Sequence, residues 1–363
     1  MSAPLPGSPS YQPCRIKKIQ NLLYVSIIGC LQIQCLPYLY HLGKEQSKII
    51  WNREKIETSL ENPDYDEKIK QKLQLIRDVR EFAITKLALN KNGGFEYFTK
   101  LERDAIGWNV SASKPLAFES YTWWFPIAGS VPYKGYFDKT LAQDLEQELK
   151  KEGYDTRIRE IGGYSTLGWF SDPVLSPQLS WPNHRLVGLV IHEMAHATAY
   201  LPGDSDLNES YATFVEEKGV EIYYSDPTFK NPNELNLFRT EKEKKRKGLE
   251  LLKKYAKLLD ETYKEDISDF KKLERKSDLI QKFKFEVFER NLIPSEKYQE
   301  FLKREWNNED FLGALRYNSG GTSFESIFQS CDGNFAKFHE GVKDIFKLSA
   351  EERKLFLSKS NEN

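Results

Sequence analysis

The stretch that decides how this chain is interpreted is Val190-Ile191-His192-Glu193-Met194-Ala195-His196, because it contains H-E-x-x-H inside an apolar run. On an α-helix, residues four positions apart lie one above the other on the same face. His192 and His196 can therefore bind one ion, while Glu193 can reach a water molecule beside it. Zinc hydrolases use this arrangement: two imidazoles hold the metal and a carboxylate accepts a proton from water. The motif predicts one Zn²⁺ per chain.

The flanking sequence predicts that the motif lies on a buried helix. Trp181-Pro182-Asn183 supplies a break and a residue suited to an N-cap, and a nearly continuous apolar run follows it. Pro202-Gly203 is expected to end the helix. Burying two histidines and a glutamate costs free energy unless a metal or other partners compensate for it. The motif on a buried helix therefore favours a functional site.

A tetrahedral catalytic zinc site needs a third protein ligand. The metzincin continuation would place a histidine six residues after His196, but that position is Pro202, so this type is excluded. Glu209, which begins a second helical pattern, is the preferred third ligand. In the alternative, Asp206 and Glu209 form a capping box at the start of that helix, and Glu216 or Glu217 binds the metal.

The N-terminus has the pattern of a bacterial lipoprotein signal. Arg15, Lys17 and Lys18 precede a short apolar run that ends at Gly29-Cys30. Cleavage before Cys30 would leave a lipidated cysteine that anchors the chain to the membrane, facing the periplasm. The alternatives for this segment are an uncleaved N-terminal anchor and a buried cytosolic strand.

Composition excludes several other classes. The 363 residues include 53 basic and 54 acidic side chains, a net charge of −1, which gives no reason to expect a nucleic-acid partner. The four cysteines are too few for a disulfide framework or a cysteine-rich zinc site. The lysine- and glutamate-rich segment 241–288 is expected to form a solvated helical hairpin rather than a basic membrane-facing surface, because charges of both signs alternate along it.

The order of helical and strand-like patterns predicts an α+β fold that is mostly helical, with a small mixed sheet ahead of the H-E-x-x-H helix. Helices are expected at Asp66–Leu89 and Lys139–Glu152, and strands at Gly107–Val110, Tyr121–Ile127 and Arg157–Ile161. The predicted regions are a leader (1–30), an N-terminal helical region (31–105), a catalytic core (106–225), a C-terminal helical region (226–350) and a disordered tail (351–363).

The segment from His192 to Val220, H-E-M-A-H-A-T-A-Y-L-P-G-D-S-D-L-N-E-S-Y-A-T-F-V-E-E-K-G-V, resembles the bacterial predicted aminopeptidase family. Further blocks that resemble this family are W-N-V (108–110), T-W-W-F-P-I-A-G (122–129), V-P-Y-K-G-Y-F (131–137) and G-Y-S-T-L-G-W-F-S-D-P-V (163–174). The resemblance covers roughly residues 35 to 350. It implies a membrane-associated zinc peptidase with a zincin-like, gluzincin-type core and a peptide substrate, and its name implies an aminopeptidase.

The proposed chemistry assigns Glu193 as the general base of peptide hydrolysis. Segment 162–169 is expected to bind the substrate backbone as an edge strand, with Tyr164 and Trp169 beside a side-chain pocket. Tyr317, Tyr211 and His184 are candidates to stabilise the transition state.

An exopeptidase also needs an acidic group for the substrate amine, and Glu119 and Asp172 are available for it. Two other functions remain open: a peptide-binding envelope protein whose zinc is structural or whose activity is lost, and a metal-dependent hydrolase of non-peptide amides.

Overall fold

The computed structural model describes residues 37–125, 129–163, 171–316 and 321–358. Contacts between residues divide the chain into two units, Met1–Ile49 and Ile50–Asn363. The described part of the first unit is helical and belongs to helix α1 (37–51). The second unit contains all the elements that follow. The fold is α+β and mostly helical, as the sequence predicted.

Helices form most of the second unit. Their boundaries follow local signals: Asp66, Asp138, Asn231, Ser268 and Asn334 each cap a helix by accepting a hydrogen bond from a backbone N–H of its first turn. The helices are α2 (Ile56–Glu61), α3 (Glu67–Lys86), α4 (Lys139–Lys151), α5 (Asn183–Thr198), α6 (Ser205–Tyr223), α7 (Pro232–Lys264), α8 (Asp269–Glu289), α9 (Tyr298–Lys303), α10 (Asn308–Arg316), α11 (Gly321–Ser330), α12 (Phe335–Phe346) and α13 (Ala350–Ser358).

Eight short strands form three small sheets within the described residues. They are β1 (Glu54–Lys55), β2 (Tyr97–Thr99), β3 (Trp108–Ser113), β4 (Trp123–Phe125), β5 (Gly129–Val131), β6 (Lys134–Tyr136), β7 (Asp155–Glu160) and β8 (Val174–Leu175). The mixed sheet β1-β2-β8 pairs β1 antiparallel and β8 parallel to β2. Sheet β6-β3-β7 is antiparallel, and β4 pairs with β5 as a hairpin. Strand β8 ends shortly before α5, so the mixed sheet precedes the H-E-x-x-H helix as predicted.

The main hydrophobic core surrounds α5. Its buried side chains extend from Ile56 to Leu357 and come from the mixed sheet and from helices α2, α3, α5, α6, α7, α11, α12 and α13. At about 25 cal/mol per Å² of apolar surface, burial of this size is the dominant force that stabilises the fold. The boundaries predicted at residues 105 and 225 therefore lie within one continuous core.

The segment 241–288 forms a helical hairpin, as its charge pattern predicted. Helices α7 and α8 pack against each other through a second cluster that includes Leu251, Leu259, Ile280 and Phe283. Many of its basic and acidic side chains pair with each other at the surface, for example Arg246 with Glu243 and Glu250. These exposed pairs contribute little to stability, so the hairpin depends on its apolar contacts.

Three predicted boundaries need correction. Helix α3 ends at Lys86 instead of Leu89, because Ala88 adopts a left-handed backbone angle of φ 51°. Helix α5 ends at Thr198, four residues before Pro202, where the backbone of Ala199 becomes extended. The tail predicted to be disordered from residue 351 is helical as far as Ser358 (α13), where Leu357 is buried in the main core.

Within the described part of the chain, no helix is both long enough and apolar enough to cross a membrane. The predicted leader, with Cys30, lies outside the described residues.

Candidate metal centre

A short turn brings α5 and α6 together as antiparallel neighbours. The buried Asn208 side chain holds this turn, because its Oδ1 accepts a hydrogen bond from Leu201 N and its Nδ2 donates one to Leu201 O, both at 2.8 Å. Gly203 allows the reversal with a left-handed φ of 84°. Asp204 caps α6 by accepting from Leu207 N. The residue after Asn208 is thereby held beside the histidines of α5.

His192, His196 and Glu209 meet at this helix pair. His192 Nε2 lies 3.2 Å from His196 Nε2 and 3.4 Å from Glu209 Oε2, and His196 Nε2 lies 3.4 Å from Glu209 Oε1. In the described part of the chain, this is the only set of three or more His, Cys, Asp or Glu side chains whose ligand atoms are close enough to share one ion.

The spacing of these atoms fits a tetrahedral zinc ion. With bonds of about 2.05 Å, the ligands of tetrahedral zinc lie about 3.3 Å apart, close to the three distances found here. Nitrogen and carboxylate oxygen are also donors that zinc prefers. The Glu209 side chain is 55% exposed, which leaves the fourth side of the site open to solvent and substrate.

Glu193 lies beside the three candidate ligands, next to the glycines that follow β7. A Cβ atom on Gly163 would lie only 2.8 Å from Glu193 Oε1, so the loop backbone touches this carboxylate. Burial raises the pKa of Glu193, although the charges of His192 and His196 oppose the shift. Glu193 is therefore a buried carboxylate next to the candidate ligands, which is the position that a general base would need.

The charges around His192 and Glu209 are strongly coupled. Burial by itself would lower the pKa of His192, but hydrogen bonds to Glu209 and Glu216 raise it to about 10. The hydrogen bonds from His192 and His196 hold the pKa of Glu209 well below its usual range. The carboxylates therefore favour a positive charge at the centre of the cluster, which a divalent cation can supply.

The positions of Glu209, Glu216 and Glu217 in the structure differ with respect to the two histidines. Glu216 contacts Nδ1 of His192 on the far side of the ring, at 3.0 Å. Glu217 pairs with Lys242 at 2.9 Å. The capping box between Asp206 and Glu209 does not form, because Asp204 is the N-cap. Only Glu209 lies close to both Nε2 atoms.

Two residues predicted to stabilise the transition state are engaged elsewhere. Tyr211 lies two residues after Glu209 and faces the opposite side of α6, where its buried hydroxyl bonds to His339 Nδ1 at 2.9 Å. His184 lies two turns before His192 and contacts Glu234 and Glu241. Both side chains are used inside the fold, which corrects the expectation that they contact substrate.

The other residues predicted to contact substrate differ in where they lie. Tyr164, Trp169 and Tyr317 lie outside the described residues. Glu119 is at the surface in a contact with Lys114. Asp172 is buried, and its charge adds to the shift that burial imposes on the pKa of Glu193, which places it near the candidate centre.

Tyr200 and Gly188 were not among the residues predicted for the site, and the contact of Gly163 with Glu193 was not predicted. Tyr200 is four residues after His196, and its 41% exposed ring lies 6.3 Å from the His196 ring, at the solvent side of the centre. Gly188 is four residues before His192 and leaves space for Glu216. The four-residue spacing along α5 could have identified Gly188, but Tyr200 lies beyond the end of α5, and the contact of Gly163 with Glu193 joins two distant segments.

Comparison with known families gives one match. The sequence model of the family described as “Putative aminopeptidase” matches residues 37–357. No curated protein and no solved structure matches the chain significantly. Since the family match spans most of the 363 residues, this chain belongs to the putative aminopeptidase family.

Proposed function

We propose that this protein is a zinc-dependent peptidase in which His192, His196 and Glu209 hold one Zn²⁺ and Glu193 is the general base. The observation that carries the proposal is the set of three ligand-atom distances of 3.2 to 3.4 Å, together with the Glu193 carboxylate, which interacts electrostatically with all three residues. Membership of a family named for aminopeptidases supports peptide bonds as the target. A zincin-like core is part of the same proposal, supported by the H-E-x-x-H helix and the glutamate on the next helix.

When bound, zinc supplies Lewis-acid chemistry that polarises a carbonyl oxygen and makes water more acidic. The chain's own residues perform the proton transfers. Glu193 accepts a proton from the attacking water and then donates it to the leaving amine. Gly163 borders this carboxylate, and a residue without a side chain at this point allows a peptide to approach closely.

We also propose that the enzyme is attached to the bacterial envelope through lipid on Cys30. The basic residues, the short apolar run and the small residue before Cys30 support this interpretation. Peptides at the membrane surface would then be its substrates.

Zinc content and turnover test the proposal together. Wild type, Glu209→Ala and the control Glu217→Ala should be purified identically, assayed for zinc, and incubated with aminoacyl-anilides and internally quenched peptides. We expect about one zinc per chain in wild type and the control, little in Glu209→Ala, and hydrolysis only where zinc is present. Equal zinc in the two variants would reject Glu209 as ligand.

If the wild-type protein binds zinc but cleaves neither the anilides nor the quenched peptides, the proposed peptidase activity is rejected. Cleavage of the anilides alone would identify an exopeptidase.

A further inference from the structure

Glu216 is an acidic side chain near the candidate centre that the proposed mechanism does not use. It lies seven residues after Glu209, two turns further along the same face of α6. Its Oε2 lies 3.0 Å from His192 Nδ1, the ring nitrogen opposite the one that faces His196 and Glu209. Glu216 therefore contacts the ring from behind the centre.

Gly188 leaves the space that this contact needs. A Cβ atom at position 188 would lie 2.8 Å from Glu216 Oε1 and 3.4 Å from both Cδ and Cγ. The whole end of the Glu216 side chain thus lies across the backbone of α5, one turn before His192. A glycine inside a helix costs roughly 0.5–1 kcal/mol relative to alanine, so a buried helix gains from a glycine only where such a close approach is required.

His196 has no equivalent support among the residues that the structure describes. Its Nδ1 is buried and has no hydrogen-bond partner there. The two histidines therefore differ at Nδ1, because a carboxylate contacts this atom of His192, whereas no described residue bonds to Nδ1 of His196.

We propose that Glu216, seated against Gly188, is the positioning residue of His192. It accepts the Nδ1–H hydrogen bond, fixes the ring plane and leaves Nε2 directed towards His196 and Glu209. This inference rests on the proposed function, since it treats Nε2 as the zinc-binding atom. Carboxylates that hold a metal-binding histidine in this way contribute about 10- to 100-fold to metal affinity.

Zinc affinity, measured by competition with a chromogenic chelator, tests the role of Glu216. Glu216→Ala should weaken zinc binding by about 10- to 100-fold. Glu216→Gln keeps an acceptor oxygen at the same distance, so its zinc affinity should fall clearly less than that of Glu216→Ala. Glu217→Gln, one residue further along the helix, should bind zinc like wild type. Equal losses in the glutamine and alanine variants would show that charge alone matters and would overturn the positioning role.

The contribution of Gly188 can be separated with a double variant. Gly188→Ala leaves every titratable group in place but displaces the Glu216 carboxylate, so it should weaken zinc binding in the same way. Because both changes break one contact, the Gly188→Ala/Glu216→Ala protein should bind no more weakly than Glu216→Ala. Additive losses would overturn the link between the two residues. Gly248→Ala, which meets no atom within 4 Å, controls for a new alanine in a helix.

Nuclear magnetic resonance of metal-free, ¹⁵N-histidine-labelled protein separates failure of this inference from failure of the proposed function. Wild type and Glu217→Gln should show a His192 Nδ1 proton protected from solvent exchange, and Glu216→Ala should lose it. Zinc binding by wild type without that protected proton would overturn the inference alone. A protected proton in a wild-type protein that binds no zinc would overturn the zinc site, and the positioning role with it.

Discussion

Replacing Gly163 by alanine should slow the proposed hydrolysis while leaving the metal ligands in place. The new Cβ would lie 2.8 Å from Glu193 Oε1. The backbone of Gly163 has no left-handed φ, so alanine fits the chain there without strain. The clash is with the far end of a side chain, which can move at little cost to folding. The variant should therefore fold normally with a displaced Glu193 carboxylate.

The size of the effect follows from the distance. Ordinary contacts between non-bonded heavy atoms lie at about 3.5 Å, so the carboxylate must move by roughly 0.7 Å. A misplacement of 1 Å in a catalytic geometry can cost about 10²-fold in rate, which predicts a fall in kcat of roughly 10- to 50-fold for this variant. Zinc content should not change, because Gly163 does not touch His192, His196 or Glu209.

Gly162 supplies a matched control. A Cβ there would meet only the Trp181 ring, at 3.5 Å, which is an ordinary contact. Both alanine variants should be compared with wild type for kcat, KM, zinc content and thermal unfolding. Equal kcat values for Gly162→Ala and Gly163→Ala would refute the reasoning, and so would loss of zinc from Gly163→Ala.

Four further results are expected. Glu193→Gln should keep its zinc and lose about 10²- to 10⁴-fold in kcat, and turnover within tenfold of wild type would exclude the general-base role. Tyr211→Phe should lower the free energy of unfolding in urea by about 1–3 kcal/mol, because it leaves the buried His339 Nδ1 without its partner; an unchanged transition would contradict this. Burial lowers the pKa of His339 from 6.5, so the folded state binds fewer protons than the unfolded state and stability is lost as pH falls below about 6.5 towards the folded pKa. His339→Gln should make that loss shallower in urea titrations, and an identical pH slope would reject the assignment. Cys30→Ser should abolish metabolic labelling by palmitate, and labelling equal to wild type would remove the lipoprotein interpretation.

Local sequence signals predicted most of the helices, because those signals act over a few residues. The apolar period of α3 and the acidic N-cap at Asp66 lie within one segment, as does the alternation of charge along α7 and α8. Boundaries were less accurate where tertiary contacts decide them. Helix α13 forms at the end of the chain because Leu357 reaches the main core, which no local pattern indicates.

The candidate third ligand shows the limit of such reasoning. Glu209 and Glu216 are seven residues apart, so helical periodicity places them on the same face of α6 and cannot choose between them. The choice depends on the register of α6 against α5, that is, on which residues of the two helices lie side by side. The turn held by Asn208 and Gly203 fixes this register. Glu209 is thereby brought to the Nε2 atoms, and Glu216 is brought to Nδ1 of His192.

The sequence by itself determined that two histidines and a glutamate share one helix, because a spacing of four residues and an apolar run are properties of a single segment. It also determined the fold class and the resemblance to a peptidase family. The tertiary structure alone decided which carboxylate joins the histidines, which glycine touches Glu193, and that Tyr211 faces the core. These depend on contacts between segments distant along the chain, whose register is set by packing and not by the order of residues.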